Sequence, residues 1–169
     1  MRKSCSFHDF DDSGWPSPDE LKKYFSAGGR LWASHGNDNW GLDVQGLYGT
    51  EALPQRESVN VILRMTGSPE HGVTLHYAKW DGRIQRKDSY VSRGDLGRLR
   101  RFMYSLHGDP YSLAFFIPFE SAWKAVKEFI EKDGELPTSI EWIATRDLPP
   151  GTFPDPKPPS MRNRPSPPW

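Results

Sequence analysis

The pattern of apolar and polar residues is clearest in residues 111–142, where it predicts a strand, a helix and a second strand. Residues 113–117 form a continuous apolar run that is too short for a buried helix and is typical of a buried strand. Pro118 ends this strand because it has no amide hydrogen to donate to a neighbouring strand. Apolar residues then recur at helical spacing over residues 123–130, which indicates a helix with one buried face. Residues 138–143 alternate and predict a half-buried strand.

Charged and helix-breaking residues mark the two ends of this predicted helix. Glu120 lies in the first turn and Lys132 in the last, where each charge interacts favourably with the helix dipole. Gly134 is expected at C′, the position just after the C-cap, and Pro137 prevents the helix from continuing.

The N-terminal part of the chain predicts a short helix that follows a polar lead. Ser17 is the expected N-cap, Pro18 takes the first helical position, and Glu20 completes the spacing of a capping box. The glycine pair 28–29 ends the helix. Residues 1–14 are expected to be loose or to add a strand at the edge of the sheet.

The middle of the chain predicts a meander of strands. An alternating strand at residues 40–44 is followed by residues 59–65 and 73–80, which form an antiparallel hairpin. The dipeptide Asp81-Gly82 is a strong turn signal and leads into a third strand through residues 83–91. Together with the two strands around the helix, this pattern predicts an α+β fold, a single domain whose antiparallel sheet of about five to seven strands packs with two or three helices.

The C-terminal segment has a different composition from the rest of the chain. Nine of the sixteen prolines follow Leu148, so this segment is expected to be a proline-rich, extended tail. The expected organisation is a flexible lead at residues 1–14, an α+β domain at 15–148 and the tail at 149–169.

Length and charge limit the classes of function. The chain has 169 residues, which suffices for one domain with a core but not for two. Its 22 basic and 22 acidic residues give no net charge, which argues against a dedicated nucleic-acid or membrane-surface protein. Cys5 is the only cysteine, so no intrachain disulfide can form. With no apolar signal segment, a cytoplasmic location is expected.

One part of the chain nevertheless carries local positive charge. Residues 61–117 contain nine basic and five acidic residues, an excess of four positive charges. Aromatic residues interleave with the arginines of segment 83–111, which is one way to build a surface for single-stranded nucleic acid. The alternative is a solvated face, in which the helical spacing of apolar residues 96–103 gives a short helix with exposed arginines.

The sequence contains no recognisable catalytic or metal-binding motif. His71 and His76 are five residues apart, which places them on opposite faces of a strand. A Cys–His pairing through Cys5 has little support, because that residue lies in an end expected to be weakly ordered. We therefore expect no enzymatic activity, no metal and no cofactor.

The helix and the strand after it carry a resemblance to a known family. The motif comprises residues 125–130, Gly134, the dipeptide at 136–137 and Ile140-Glu141-Trp142, and it resembles the Imm1 family of bacterial immunity proteins. The resemblance covers about residues 117–142 well and extends more loosely back to Leu31. It implies a binding protein that neutralises a cognate toxin, often a deaminase-type domain acting on nucleobases, by covering its active or substrate-binding site in a 1:1 heterodimer.

The expected contact residues are acidic and aromatic side chains near predicted turns, together with part of the basic segment. Acidic residues could mimic phosphate in a basic toxin groove, whereas Trp80 at the hairpin turn is typical of an interface anchor. Trp40 fits either a core or an interface. The candidate partner-binding residues are Asp38, Trp40, Asp43, Trp80, Asp81, Arg83 and Tyr90.

Overall fold

The computed structural model describes residues 1–7, 9–32, 40–105 and 107–154. Its helices and strands are β1 (Arg2–Cys5), α1 (Pro18–Phe25), β2 (Trp40–Gln45), β3 (Val59–Ser68), β4 (Gly72–Asp81), β5 (Arg86–Ser92), β6 (Phe102–Tyr104), β7 (Pro110–Ser112), β8 (Phe116–Ile117), α2 (Phe119–Glu131) and β9 (Trp142–Ala144). None of the helices in these ranges is long and apolar enough to span a membrane.

Seven of these strands form one antiparallel sheet. Its order is β1-β2-β3-β4-β5-β9, and β8 pairs with β4 beyond the point where β5 ends. Strands β6 and β7 form a separate two-stranded sheet. The predicted α+β class, with a large antiparallel sheet and few helices, is confirmed.

The core lies between one face of the sheet and the two helices. Alternate residues of β3, among them Val61 and Leu63, are fully buried against Val126 and Phe129 of α2. Complete burial of one such side chain stabilises the fold by about 1.5–3 kcal/mol. Aromatic rings complete this core, and the ring centroids of Trp32 and Trp40 are 4.4 Å apart.

Helix α1 begins as the sequence predicts. The Ser17 hydroxyl accepts a hydrogen bond from the Glu20 amide at 3.2 Å, and the Glu20 carboxylate accepts one from the Ser17 amide at 2.7 Å. These two bonds form a capping box and satisfy amides that have no partner within the helix.

The C-terminus of α2 differs from the prediction by one residue. Asp133 occupies C′ with φ 51°, and Gly134 follows it with φ 93°. The Gly134 amide donates to the Phe129 carbonyl at 2.9 Å and the Asp133 amide to the Ile130 carbonyl at 3.3 Å, which is the Schellman arrangement. Gly134 is therefore C″ and not C′. A Cβ at Gly134 would lie 2.8 Å from Val44 Cγ1, which explains why glycine is needed there.

Two predicted strands are shorter than expected because their backbone groups have other partners. In residues 113–117 only the last two pair with β4, since the Ala114 carbonyl accepts from the Gly94 amide and the Phe115 carbonyl from the Ser92 hydroxyl. The predicted strand at 138–143 is restricted to β9, because amides at its start donate to Glu128.

Two other predictions near the basic segment are also corrected. Residues 96–103 do not form a short α-helix, because a 3-10 turn at Leu96–Arg98 gives way to β6, which pairs with β7. The chain reverses after Asp81, but through the four-residue loop 82–85, so β5 begins at Arg86 and not at residue 83.

The N-terminal residues take the second of the two forms expected for them. Strand β1 adds an edge to the sheet beside β2, and Cys5 is only 4% exposed. Cys5 therefore does not lie in a weakly ordered end, and its burial raises the pKa of the thiol.

Candidate partner-binding surface

The face of the sheet that points away from the helices is a candidate partner-binding surface. Leu63 and Tyr77 face the helices, so the alternating residues on either side of them face outward. Three rows cross the strands on this outer face: Gln45, Asn60, Trp80 and Lys87; Asp43, Ile62, Ala78 and Ser89; and Gly41, Arg64, His76 and Val91.

Trp80 lies at one end of this outer face and is partly exposed. Its indole Nε1 donates to the Arg56 carbonyl at 3.1 Å, and the Gln85 amide donates to the same oxygen at 3.1 Å. The ring borders a shallow groove of about 650 Å³ that also includes Ile62, which is 36% exposed, and Ala78. A held aromatic ring beside apolar side chains can bind a partner with little loss of side-chain entropy.

Asp81 and Arg83 follow Trp80 along the chain and neutralise each other. The guanidinium donates to both carboxylate oxygens, at 3.0 and 2.7 Å, and the Arg83 amide donates to Asp81 Oδ1 at 3.1 Å. The hydrogen bond from Arg83 lowers the pKa of Asp81. The carboxylate is therefore already engaged and is not a free phosphate mimic.

Asp43 is likewise engaged, by Arg64 on the neighbouring strand. The two guanidinium contacts are 3.0 and 3.2 Å long and form a bidentate pair on the outer face. Asp38, the third acidic candidate, lies outside the described residues. Both acidic candidates that the structure describes, Asp43 and Asp81, are thus paired with an arginine of this chain.

Trp40 and Tyr90 point toward the helices and not toward the outer face. Trp40 pairs with Met65 across the sheet, is 4% exposed and has ring centroids of Phe7 and Tyr24 within 5.0 Å. Tyr90 is partly buried opposite Tyr77 and packs against the core. The period of two along each strand sends both rings inward, so neither belongs to the outer face.

Tyr48 is a surface residue that the sequence analysis missed. It is 50% exposed and has φ 57°, a left-handed conformation that is uncommon for a residue with a side chain. Lys79 Nζ donates to its hydroxyl at 3.0 Å, and the Arg83 guanidinium carbon lies 5.0 Å from the ring centroid. No local sequence pattern predicts the contacts of Tyr48 with Lys79 and Arg83, since both cations are distant from it in sequence.

A cleft of about 480 Å³ at the other end of the outer face was also missed. Its floor carries Arg64, His76 and Ser89, and its opposite wall is formed by residues 110–112, Phe115 and Phe153. None of the described residues that line it is a carboxylate. Alternation along β3, β4 and β5 could have identified the floor, but the wall comes from segments far away in sequence.

The cleft is better suited to binding than to catalysis. His76 Nε2 and Ser89 Oγ are 2.7 Å apart, but Ser89 lies on a regular strand and the described lining has no carboxylate to orient the histidine. His76 is exposed as a whole, yet desolvation of its ring and the charges of Lys87 and Arg64 lower its pKa. No group of three or more potential metal ligands occurs among the described residues.

Comparison with known proteins identifies part of the chain. A family model described as Immunity protein Imm1 matches residues 57–144, which run from just before β3 to the end of β9. The matched part contains the central strands, helix α2 and the floor of both the groove and the cleft. No curated protein and no solved structure matches the chain.

Proposed function

The chain belongs to the Imm1 family of immunity proteins, and from this membership we propose that it binds its cognate toxin through the outer face of the sheet. The observation that carries the proposal is the position of Trp80, held by Arg56 and bordered by Ile62 and Ala78 on a face that lies opposite the helices. Buried aromatic anchors of this kind supply most of the binding energy in protein interfaces.

The proposed mechanism is occlusion, which needs no chemistry from this chain. A typical specific interface buries about 800 Å² on each partner, enough to cover a toxin's active cleft or its substrate groove. The proposed complex is a 1:1 heterodimer formed in the cytoplasm, and the proposed toxin is a nucleic-acid-targeting, deaminase-type domain. The support for this toxin class is the family resemblance.

The ion pairs change how acidic residues would take part. Asp43 and Asp81 each hold an arginine, so either carboxylate would meet a basic toxin groove only by exchanging its own partner for one on the toxin. Such exchange adds specificity and little affinity, because one charged pair replaces another. Affinity in this proposal therefore comes mainly from Trp80 and its apolar neighbours.

The first test measures binding of the toxin domain encoded beside this gene, by titration calorimetry with the wild-type chain and with Trp80→Ala. We expect a 1:1 complex that Trp80→Ala weakens about 30-fold or more, the loss typical of a hot-spot residue. Leu31→Ala is the control, because Leu31 is exposed and lies two residues after Gly29, which packs against Phe119 of α2 on the other side of the sheet. Unchanged affinity in Trp80→Ala would remove the groove from the proposed interface.

The same complex tests the class of toxin. A deaminase-type toxin should convert its nucleic-acid substrate until one molar equivalent of this chain is added, and then stop. A toxin that instead cuts nucleic acid, and is still inhibited, would overturn the deaminase assignment and leave the immunity function intact.

A further inference from the structure

We propose that the cleft at the far end of the outer face receives an acidic loop of the toxin, with a carboxylate side chain over Arg64 and His76. This inference rests on the proposed function, and it adds a second contact, of defined chemistry, to the one centred on Trp80. The two sites lie on the same face, since Trp80 and His76 are four residues apart on β4. The row of Asp43, Ile62 and Ala78 lies between their rows.

The charge of the cleft favours an anionic occupant. Arg64 and His76 are on its floor, Lys87 is close enough to affect His76, and no carboxylate is among the described lining residues. Asp43 already holds Arg64 in a bidentate pair, so a carboxylate of the toxin would share this guanidinium with Asp43 or replace it. Desolvation of the ring, and then the charges of Lys87 and Arg64, lower the pKa of His76.

The walls of the cleft favour a peptide loop over a nucleic acid. The rings of Phe115 and Phe153 stack with centroids 5.9 Å apart and give the cleft an apolar wall. Phe153 is 57% exposed, so a partner that covers it buries apolar area. A phosphate chain would have its charges along these apolar walls, whereas an acidic loop can place one carboxylate on the floor and apolar side chains on the walls.

The volume of the cleft is consistent with side chains from a loop. At about 480 Å³ it falls within the range of roughly 300–1,000 Å³ over which pockets enclose ligands. Thr66, Thr74 and Thr145 are also among its lining residues, and a threonine hydroxyl can donate to a backbone carbonyl or to a carboxylate. The cleft thus offers charge, hydroxyl donors and apolar walls to one short segment of chain.

The test places a negative charge in the cleft and compares it with a neutral side chain of the same size. Ser89→Glu should weaken binding of the neighbouring gene's toxin domain about 10- to 100-fold, because like charges would then face each other, whereas Ser89→Gln should change it little. Thr145→Glu and Thr145→Gln repeat the comparison on a different wall. Circular dichroism and thermal melting establish that each variant is folded.

The outcomes separate this inference from the proposed function. If Trp80→Ala weakens the complex but both Glu variants bind like their Gln controls, the outer face binds the toxin and the acidic-loop inference is wrong. If the wild-type chain does not bind the toxin domain at all, the proposed function fails first.

A second experiment identifies the occupant directly. Overlapping synthetic peptides that cover the toxin domain are titrated into the ¹⁵N-labelled chain, and the amide signals of His76, Ser89 and Tyr111 are followed. Peptides rich in Asp and Glu should shift these signals, and Ser89→Glu should abolish the shifts. Shifts produced only by basic peptides, or only by a single-stranded oligonucleotide, would overturn the inference.

Discussion

At the scale of single residues, side-chain partners decide what each charged group can do. Asp43 and Asp81 look like free acidic surface residues in the sequence, but each lies in a bidentate contact with an arginine. Glu128 shows the same effect in a structural role. Its carboxylate accepts from Lys132 Nζ at 2.7 Å and from the amides of Thr138 and Ser139 at 3.0 Å, so it fixes the chain between α2 and β9.

We predict that Glu128→Gln lowers the free energy of unfolding by about 1–2 kcal/mol at pH 7, since charged hydrogen bonds become neutral or are lost. The hydrogen bond from Lys132 is the largest cause of the lowered pKa of Glu128. A lowered folded-state pKa contributes stability above the unfolded value of 4.5, and this contribution is lost as the pH falls below it.

Urea denaturation of the wild type and Glu128→Gln at pH 7 and at pH 3 measures both effects. The difference between the two proteins should shrink at the lower pH. Glu131→Gln is the matched control, because Glu131 is exposed in the same helix and makes only a 3.6 Å pair with Lys127. An equal loss in both variants would mean that the carboxylate at position 128 has no special role.

At the scale of elements, the unit of α2 and β9 was the best predicted part of the chain. Its apolar stripe and its terminal residues are local features, so the helix is found at Phe119–Glu131 as expected. The C′ residue was misplaced by one position, and the strand after the helix is shorter than expected. The need for glycine at position 134 arises from Val44 on a distant strand, which local sequence does not reveal.

Gly134→Ala should destabilise the domain by about 1–3 kcal/mol, because it combines a left-handed φ of 93° with a Cβ contact of 2.8 Å. Gly14→Ala is the control, since a Cβ at Gly14 meets no atom within 4 Å and its φ is not positive. Thermal melting of both variants distinguishes the cases. Equal melting temperatures for the two would show that the loop relaxes without cost.

At the scale of the whole molecule, the helices cover one face of the sheet, and the proposed partner surface is the other. The local positive charge that suggested a nucleic-acid surface is also reduced at this scale. Arg83, Arg86 and Arg93 pair with carboxylates at 2.7, 3.0 and 3.8 Å, and the whole chain has no net charge.

We therefore predict that the chain alone does not bind nucleic acid through segment 83–111. Fluorescence anisotropy with a labelled single-stranded oligonucleotide should show no saturable binding at about physiological ionic strength, the condition that weakens purely electrostatic complexes. Micromolar or tighter binding that weakens steeply with salt, and that is lost on replacing Arg100 and Arg101, would contradict this prediction and favour a nucleic-acid-binding module.

By itself, the sequence determined the class of fold, the position of α2, the capping box of α1 and the central hairpin, because these depend on spacing and capping among residues close along the chain. The tertiary structure decided which of the predicted contact residues face outward, which acidic groups are neutralised and where the cleft lies. Trp40 and Trp80 have similar local sequence signals, yet the sheet register sends one into the core and the other to the surface. Register and the packing of distant segments are long-range properties, and no pattern among neighbouring residues contains them.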